Sequence, residues 1–200
     1  GTKKMDVADG FTYTLRDGGF YFNVTPVGDA PKVQTLVGNT GSAQVQDSND
    51  WTSTMTLLNN LTFSMSDMDG ASSKNFTYIV TEQIPQSGAA GVSYDETAYQ
   101  VTITVTDDGK GTLSAGTPDI QKGSWDGTTF TPAAEADVEQ VEFTNSYAPK
   151  SITTAPLAIT KTLNGQTPAA DAYSFTMALV SADPQDGITL PDTTTMSNDA

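Results

Sequence analysis

The sequence predicts an all-β protein: an Ig-like β-sandwich followed by part of a second β domain. Three observations predict it. Apolar and polar residues alternate with a period of two in several short segments, Gly- and Asp-rich turns separate those segments, and no stretch carries an apolar stripe at helical spacing.

Taken in order, the opening GTKKMDV places Met5 and Val7 in one phase together with Lys3, whereas Lys4 and Asp6 share the opposite, outward phase. Strands are then expected over Phe20 to Thr25, over Thr54 to Met65 with a break near Asn59 and Asn60, and over Phe76 to Glu82. Tyr99, Val101, Ile103 and Val105 are interleaved with Gln100, Thr102, Thr104 and Thr106, the pattern of a half-buried antiparallel strand. The turn DDGKG at 107–111 leads from it into GTLSA and closes a hairpin, because Asp and Gly suit tight turns. A last strand is expected over Val138 to Tyr147.

The chain also repeats itself. TKKMDVADG, followed by GGFYFNVTPVGDAP, answers to TKTLNGQTPAADAYSFTMALVSADP at 160–184. Between the copies, YAPKSITTAP at 147–156 has the Pro, Ser and Thr content of a short linker. The expected organisation is a complete domain over 1–148, a linker over 149–156, and over 157–200 the N-terminal part of a second, truncated repeat.

Composition restricts the function. With 24 acidic residues against 9 basic ones, a net charge of −15 and no basic run, the chain is unsuited to nucleic acid or to anionic membrane surfaces. No apolar segment approaches the roughly 18 residues that span a bilayer. There is no signal peptide, so the sequence is expected to begin inside a longer precursor. Cysteine and histidine are both absent, which removes disulfides, thiol nucleophiles, zinc sites of the usual kinds and every Ser-His or Cys-His arrangement. No cofactor and no metal is expected, and a secreted enzyme would have to rely on a carboxylate pair. The acidic, Thr-rich composition suits an exposed surface protein, which here lacks the usual extracellular staple.

Parity singles out three residues. In VEFTNSYAP, Val141, Phe143 and Tyr147 share a face, and Asn145 falls on it. In FTYIVTEQIP, Phe76, Tyr78 and Val80 lead in phase to Glu82. With Lys3 beside Met5 and Val7, a lysine, a glutamate and an asparagine each occupy an apolar face, on the first, a middle and the last strand of one domain. In the second copy Leu157, Ile159 and Leu163 put Lys161 in the corresponding place. Alone, a strand lysine ordinarily snorkels to solvent, a strand-end glutamate is ordinarily solvated, and an asparagine after threonine often caps a turn. Together they ask for a common explanation.

These residues resemble the isopeptide-linkage domains of Gram-positive pilins and surface adhesins. That family shows a TKxL-like opening with a reactive lysine, a Y-x-V-T-E strand with a catalytic glutamate and a closing F-x-N-x-Y strand with an acceptor asparagine. This chain has TKKM at 2–5, YIVTE at 78–82, FTNSY at 143–147 and, in the second copy, TKTL at 160–163. It departs from the pattern in having Met5 for leucine and an additional FTYTLRDGG before the second strand. The resemblance implies a Lys3–Asn145 isopeptide bond with Glu82 as its catalyst, formed once and without turnover. Burial would favour the neutral, nucleophilic amine of Lys3 and the protonated acid of Glu82, which would polarise the Asn145 carbonyl and carry a proton to the departing ammonia.

It further implies a structural stalk or pilin module on the cell wall or pilus of a Gram-positive bacterium, extracellular, with neighbouring repeats, sortase-linked pilin subunits or a host surface ligand as partners. The alternative is an adhesin domain that presents loops such as 26–50 to a host glycan or protein.

Other motifs have plainer readings. SDMDG at 66–70 and DSND at 47–50 look suited to calcium, but Tyr78 stands where an EF-hand would supply its bidentate glutamate, so both read as turns. LPDTT at 190–194 reads as a loop, and Lys150 as an exposed linker lysine.

Overall fold

The computed structural model describes residues 1–15, 18–45 and 50–148 and, beyond these, 164–165, 169–170, 172–176 and 195–197. The chain divides into two compact units, Gly1–Ala148 and Pro149–Ala200. Among the described residues twelve strands build the first: β1 (Thr2–Val7), β2 (Tyr21–Val27), β3 (Leu36–Gly38), β4 (Thr40–Val45), β5 (Trp51–Thr54), β6 (Ser73–Glu82), β7 (Val92–Ser93), β8 (Ala98–Asp107), β9 (Leu113–Ala115), β10 (Asp119–Trp125), β11 (Phe130–Val138) and β12 (Glu142–Tyr147). In the second unit, β13 (Ser174–Thr176) pairs antiparallel with β14 (Thr195–Ser197).

The first unit is a sandwich of two sheets. One has the order β4-β5-β1-β12-β7, and the other β11-β10-β8-β6-β2-β3 with β9 added to β8. All pairings are antiparallel except β1 with β12, the first and last strands, which run parallel side by side. The alternation seen in the sequence is the inward face of each sheet. Met5, Val7 and Phe143 point in from one; Phe22, Val24, Phe76, Tyr78, Val80, Val101, Ile103 and Val105 point in from the other, all buried. Phe143 couples the layers, stacking on Phe22 at 5.1 Å between ring centroids and meeting Tyr99 edge-on at 5.1 Å.

Two expectations are corrected. No strand runs over Thr54 to Met65: β5 ends at Thr54, and Leu58 and Asn60 adopt left-handed backbone conformations with φ of 53° and 57°. The alternating apolar residues there serve a loop, from which Leu57, Leu58, Leu61 and Phe63 pack against the core before a 3-10 turn at Met65–Met68. The expected strand over Val138 to Tyr147 is two: β11 ends at Val138 in one sheet and β12 starts at Glu142 in the other, so Glu139 to Val141 carry the chain across the sandwich. The β10–β11 hairpin is a feature that the sequence pattern does not indicate. Its edge strand β11 is largely exposed on both faces and shows no alternation to read. Gly123 in β10 is required by its neighbour: an added Cβ would lie 2.2 Å from the Thr131 carbonyl oxygen and 2.8 Å from the Phe130 ring.

The acidic turn at 66–70 is filled by an ammonium. Lys74 donates to the carboxylates of Asp29 and Asp69 and to the Asp67 carbonyl. Among the described residues no group of three or more acidic side chains is placed to hold a metal ion, and no helix is long and apolar enough to cross a membrane. Lys150, Lys161, LPDTT and most of DSND lie outside the described residues.

Because Phe22 meets Phe143 across the layers, Phe22→Ala should cost about 3–5 kcal/mol of stability. Urea unfolding measures it. A loss under about 1 kcal/mol would show that this contact does not join the sheets.

Candidate functional site: a buried lysine, glutamate and asparagine

Lys3, Glu82 and Asn145 meet inside the sandwich. Strand phase places each of them. In β1, Lys3 points inward with Met5 and Val7, while Lys4 is partly exposed and pairs with Glu142 at 2.8 Å. In the neighbouring β12, Asn145 points inward two residues after Phe143. The register sets Lys3 opposite Phe143 and Met5 opposite Asn145, so Lys3 and Asn145 are diagonal neighbours on one face of one sheet. Glu82 ends β6 in the facing sheet, opposite Phe22 of β2, and reaches across.

All three are buried; Lys3 and Asn145 are 0% exposed and Glu82 6%. The Glu82 carboxyl group bridges the other two. Its Oε2 accepts from Lys3 Nζ at 2.8 Å and its Oε1 accepts from Asn145 Nδ2 at 2.7 Å. Asn145 Oδ1 accepts from the backbone N–H of Asp95 at 2.8 Å. Glu82 therefore faces the amide nitrogen of Asn145, and the expected polarisation of the carbonyl by Glu82 is not what the geometry provides. The carbonyl belongs to Asp95.

Several groups that the sequence did not single out complete the site. Phe20 lies under the ammonium, with Lys3 Nζ 4.8 Å from its ring centroid. The segment between β1 and β2 brings Tyr13 against Tyr147 at 5.0 Å and against Phe20 at 6.4 Å, while Tyr94 meets Phe20 edge-on at 6.2 Å. This segment contains the additional FTYTLRDGG, and its aromatic residues wall the site. Asp95 sits between β7 and β8, where no periodic pattern marks it.

Desolvation is the dominant electrostatic fact. Burial pulls the Lys3 ammonium below its ordinary pKa, against the opposing charge and hydrogen bond of Glu82 and the charge of Asp95. Burial likewise lifts the Glu82 carboxyl above its ordinary value, opposed by Lys3 and by the Asn145 hydrogen bond and reinforced by Asp95. Both shifts favour an uncharged pair, amine beside carboxylic acid. An ammonium and a carboxylate sharing a dry core gain from mutual attraction but lose much of their hydration.

The family model for FctA, the Spy0128-like isopeptide containing domain, matches residues 1–148. The chain belongs to this family. Solved structures similar to this FctA-family chain include major pilins of Streptococcus pyogenes. A glutamate-to-alanine variant of one is 19% identical with a TM-score of 0.46, covering 73% of this chain and 49% of that one. An asparagine-to-alanine variant is 20% identical with a TM-score of 0.41 and the same coverage, 73% and 49%. Another major pilin from this organism is 16% identical with a TM-score of 0.39, covering 73% and 51%. The FctA-family chain thus spans about half the length of the pilins it matches. No curated protein sequence matches it.

The pKa shifts fix a pH dependence for an Asn145→Ala chain, in which Lys3 and Glu82 are both free side chains. Glu82, raised in the folded state, contributes stability that is complete below its unfolded value of about 4.5 and is lost as pH rises through the folded value. Lys3, lowered in the folded state, acts in the opposite sense: stability recovers as pH climbs from its folded value towards 10.5. Denaturant midpoints against pH should therefore fall above pH 4.5 and rise again on the alkaline side. A further Glu82→Gln change should abolish the fall and retain the rise; a profile with no fall to abolish would contradict the raised Glu82.

Proposed function

We propose that residues 1–148 are a structural module of a Gram-positive pilus or surface stalk, closed by an isopeptide bond between Lys3 and Asn145 with Glu82 as the catalytic residue. One observation carries the reading: a single buried carboxyl group holds the lysine nitrogen on one oxygen and the asparagine amide nitrogen on the other.

The chemistry follows from that bridge. The neutral Nζ of Lys3 attacks Cγ of Asn145, and the C=O π bond opens to an oxyanion. Glu82, as the acid, gives a proton to Nδ2 through one oxygen and recovers a proton from Nζ through the other. The Cγ–Nδ2 bond breaks, the carbonyl re-forms and ammonia leaves. Glu82 ends as it began. An amine and a primary amide have become a secondary amide and ammonia, with no charge left on Lys3. The wall of Phe20, Tyr13 and Tyr147 keeps water from competing for the same carbon. The bond forms once within one molecule, so the module is not an enzyme with turnover.

The topology explains what such a bond would be for. The chain enters at β1 and leaves after β12, and these strands are parallel neighbours, so tension along the polypeptide pulls them in shear. A covalent link from Lys3 to Asn145 carries that load between the strands and leaves the intervening sequence slack. Its thermodynamic effect, borrowed from disulfides that close loops of this length, is about 5 kcal/mol. On the same reading, 157–200 opens a second copy of the domain with Lys161 as its reactive lysine, and the partners are neighbouring repeats or pilus subunits outside the cell.

The purified chain should be lighter than its sequence mass by one ammonia. Lys3→Ala and Glu82→Ala should each restore the full mass, whereas Lys4→Ala should not. Glu82→Ala should also lower the melting temperature and let the first unit extend under single-molecule tension by most of its contour length, while the wild type barely lengthens. A wild-type mass equal to the sequence mass would sink the cross-link.

A further inference from the structure

We infer that Asp95 is part of the bond-forming machinery: its backbone N–H is the oxyanion donor for the Asn145 carbonyl, and its carboxylate is the positioning group that holds that N–H in place. This rests on the isopeptide reading and adds to it a group outside the lysine, glutamate and asparagine.

The geometry assigns two tasks to one residue. The N–H of Asp95 lies 2.8 Å from Asn145 Oδ1, the atom that becomes negative when Nζ attacks Cγ. Glu82 occupies the amide nitrogen and so is directed at the leaving group. Asp95 thereby settles which end of the Asn145 amide faces the acid. Were the amide reversed, its nitrogen would meet another N–H donor and its oxygen would face the carboxyl group that must protonate nitrogen.

The carboxylate explains why the N–H stays there. β7 has only two residues, and beyond Ser93 the outer edge of β12 loses its partner strand. Asp95 takes over. Its Oδ2 accepts from the Thr144 N–H at 2.8 Å, next to the reactive asparagine, and its Oδ1 accepts from the Thr97 N–H at 2.9 Å, closing a local turn. One side chain thus clips its own loop to β12 at the residue before Asn145. Precise placement of a donor against a reacting atom is worth orders of magnitude in rate.

The same charge acts on the reacting pair. Asp95 raises the pKa of both Lys3 and Glu82. The other ionisable groups on this side are Tyr13, which Glu82 acts on, and Tyr94 and Tyr147, which act on the Tyr13 hydroxyl in turn. Bond formation needs neutral Lys3, which sets the acidic limit of the Lys3 requirement, and protonated Glu82, which sets the alkaline limit of the Glu82 requirement. Removing the Asp95 charge lowers both pKa values, so both limbs of the rate profile move to lower pH. A residue that merely supported the fold would not move them.

The test uses the full chain, recovered unfolded in denaturant so that Lys3 and Asn145 have not reacted, then refolded by dilution at a series of pH values. Intact mass is followed with time for the wild type, Asp95→Asn and Asp95→Ala. The wild type should lose one ammonia, and each variant should lose it at least about tenfold more slowly with both pH limbs displaced downward. A wild-type rate, or a slower rate on an unmoved profile, overturns the role of Asp95 while leaving the cross-link intact. A wild type that keeps its full mass overturns the cross-link itself. If neither variant folds, hydrogen exchange at the Asp95 amide in the Lys3→Met chain decides: slow exchange that is lost on adding Asn145→Ala supports the donor, and fast exchange in Lys3→Met alone rejects it.

Discussion

The structure depends on one carboxyl group in the wrong place. Glu82 stands in an apolar interior with its two oxygens committed to nitrogen donors from the opposite sheet. Desolvation of a carboxylate there is worth several kcal/mol against folding, and the same holds for the Lys3 ammonium. Each is tolerable because the other is present and because Asn145 satisfies the remaining oxygen. Remove any one and a buried polar group is left without its partner, which costs more than the contact contributed. The arrangement must therefore be built whole, from three strands in two sheets.

That requirement accounts for much of the topology. Lys3 and Asn145 have to share a face on adjacent strands, which fixes the β1–β12 register, and Glu82 has to arrive from across the core, which fixes β6 over that pair. Desolvation then does a second thing. It shifts both ionisable groups towards the neutral forms in which one is a nucleophile and the other an acid. On the proposed reading, the desolvation that disfavours the charged pair is also what makes it reactive, and conversion to an amide would relieve the first by using the second.

How much of this the sequence shows depends on whether a residue sits in a repeating pattern. The strands with alternation, β1, β6, β8 and β12, could be read, and with them the inward phase of Lys3, Glu82 and Asn145, because parity alone assigns a side chain to a face. The choice of Lys3 over Lys4 follows from two apolar residues in phase. Where the pattern misleads, the reason is local. Beyond Thr54, residues 55–65 alternate like a strand but pair with no neighbouring strand, so their apolar side chains reach the core from a loop turned by Leu58 and Asn60. The β10–β11 hairpin leaves no mark in the sequence because an edge strand exposed on both sides has no parity. Asp95 is illegible for a deeper reason: what it offers Asn145 is a backbone N–H, which every residue but proline carries, and only the fold says where it points.

A protein with neither cysteine nor histidine has few ways to become covalently closed. A disulfide needs an oxidising environment and yields to reduction; an amide needs neither a redox partner nor a metal, only an amine and a carboxamide held together without water. On the proposed reading the reactants would be buried before they react, so the domain would fold on non-covalent forces alone and close afterwards. This places a limit on the design. The sandwich would have to be stable enough without the link to assemble the site around three costly polar groups, and these are set amid the aromatic packing of Phe20, Phe22, Tyr99 and Phe143. The core builds the site, and the site, once reacted, would make the core's own strength matter less.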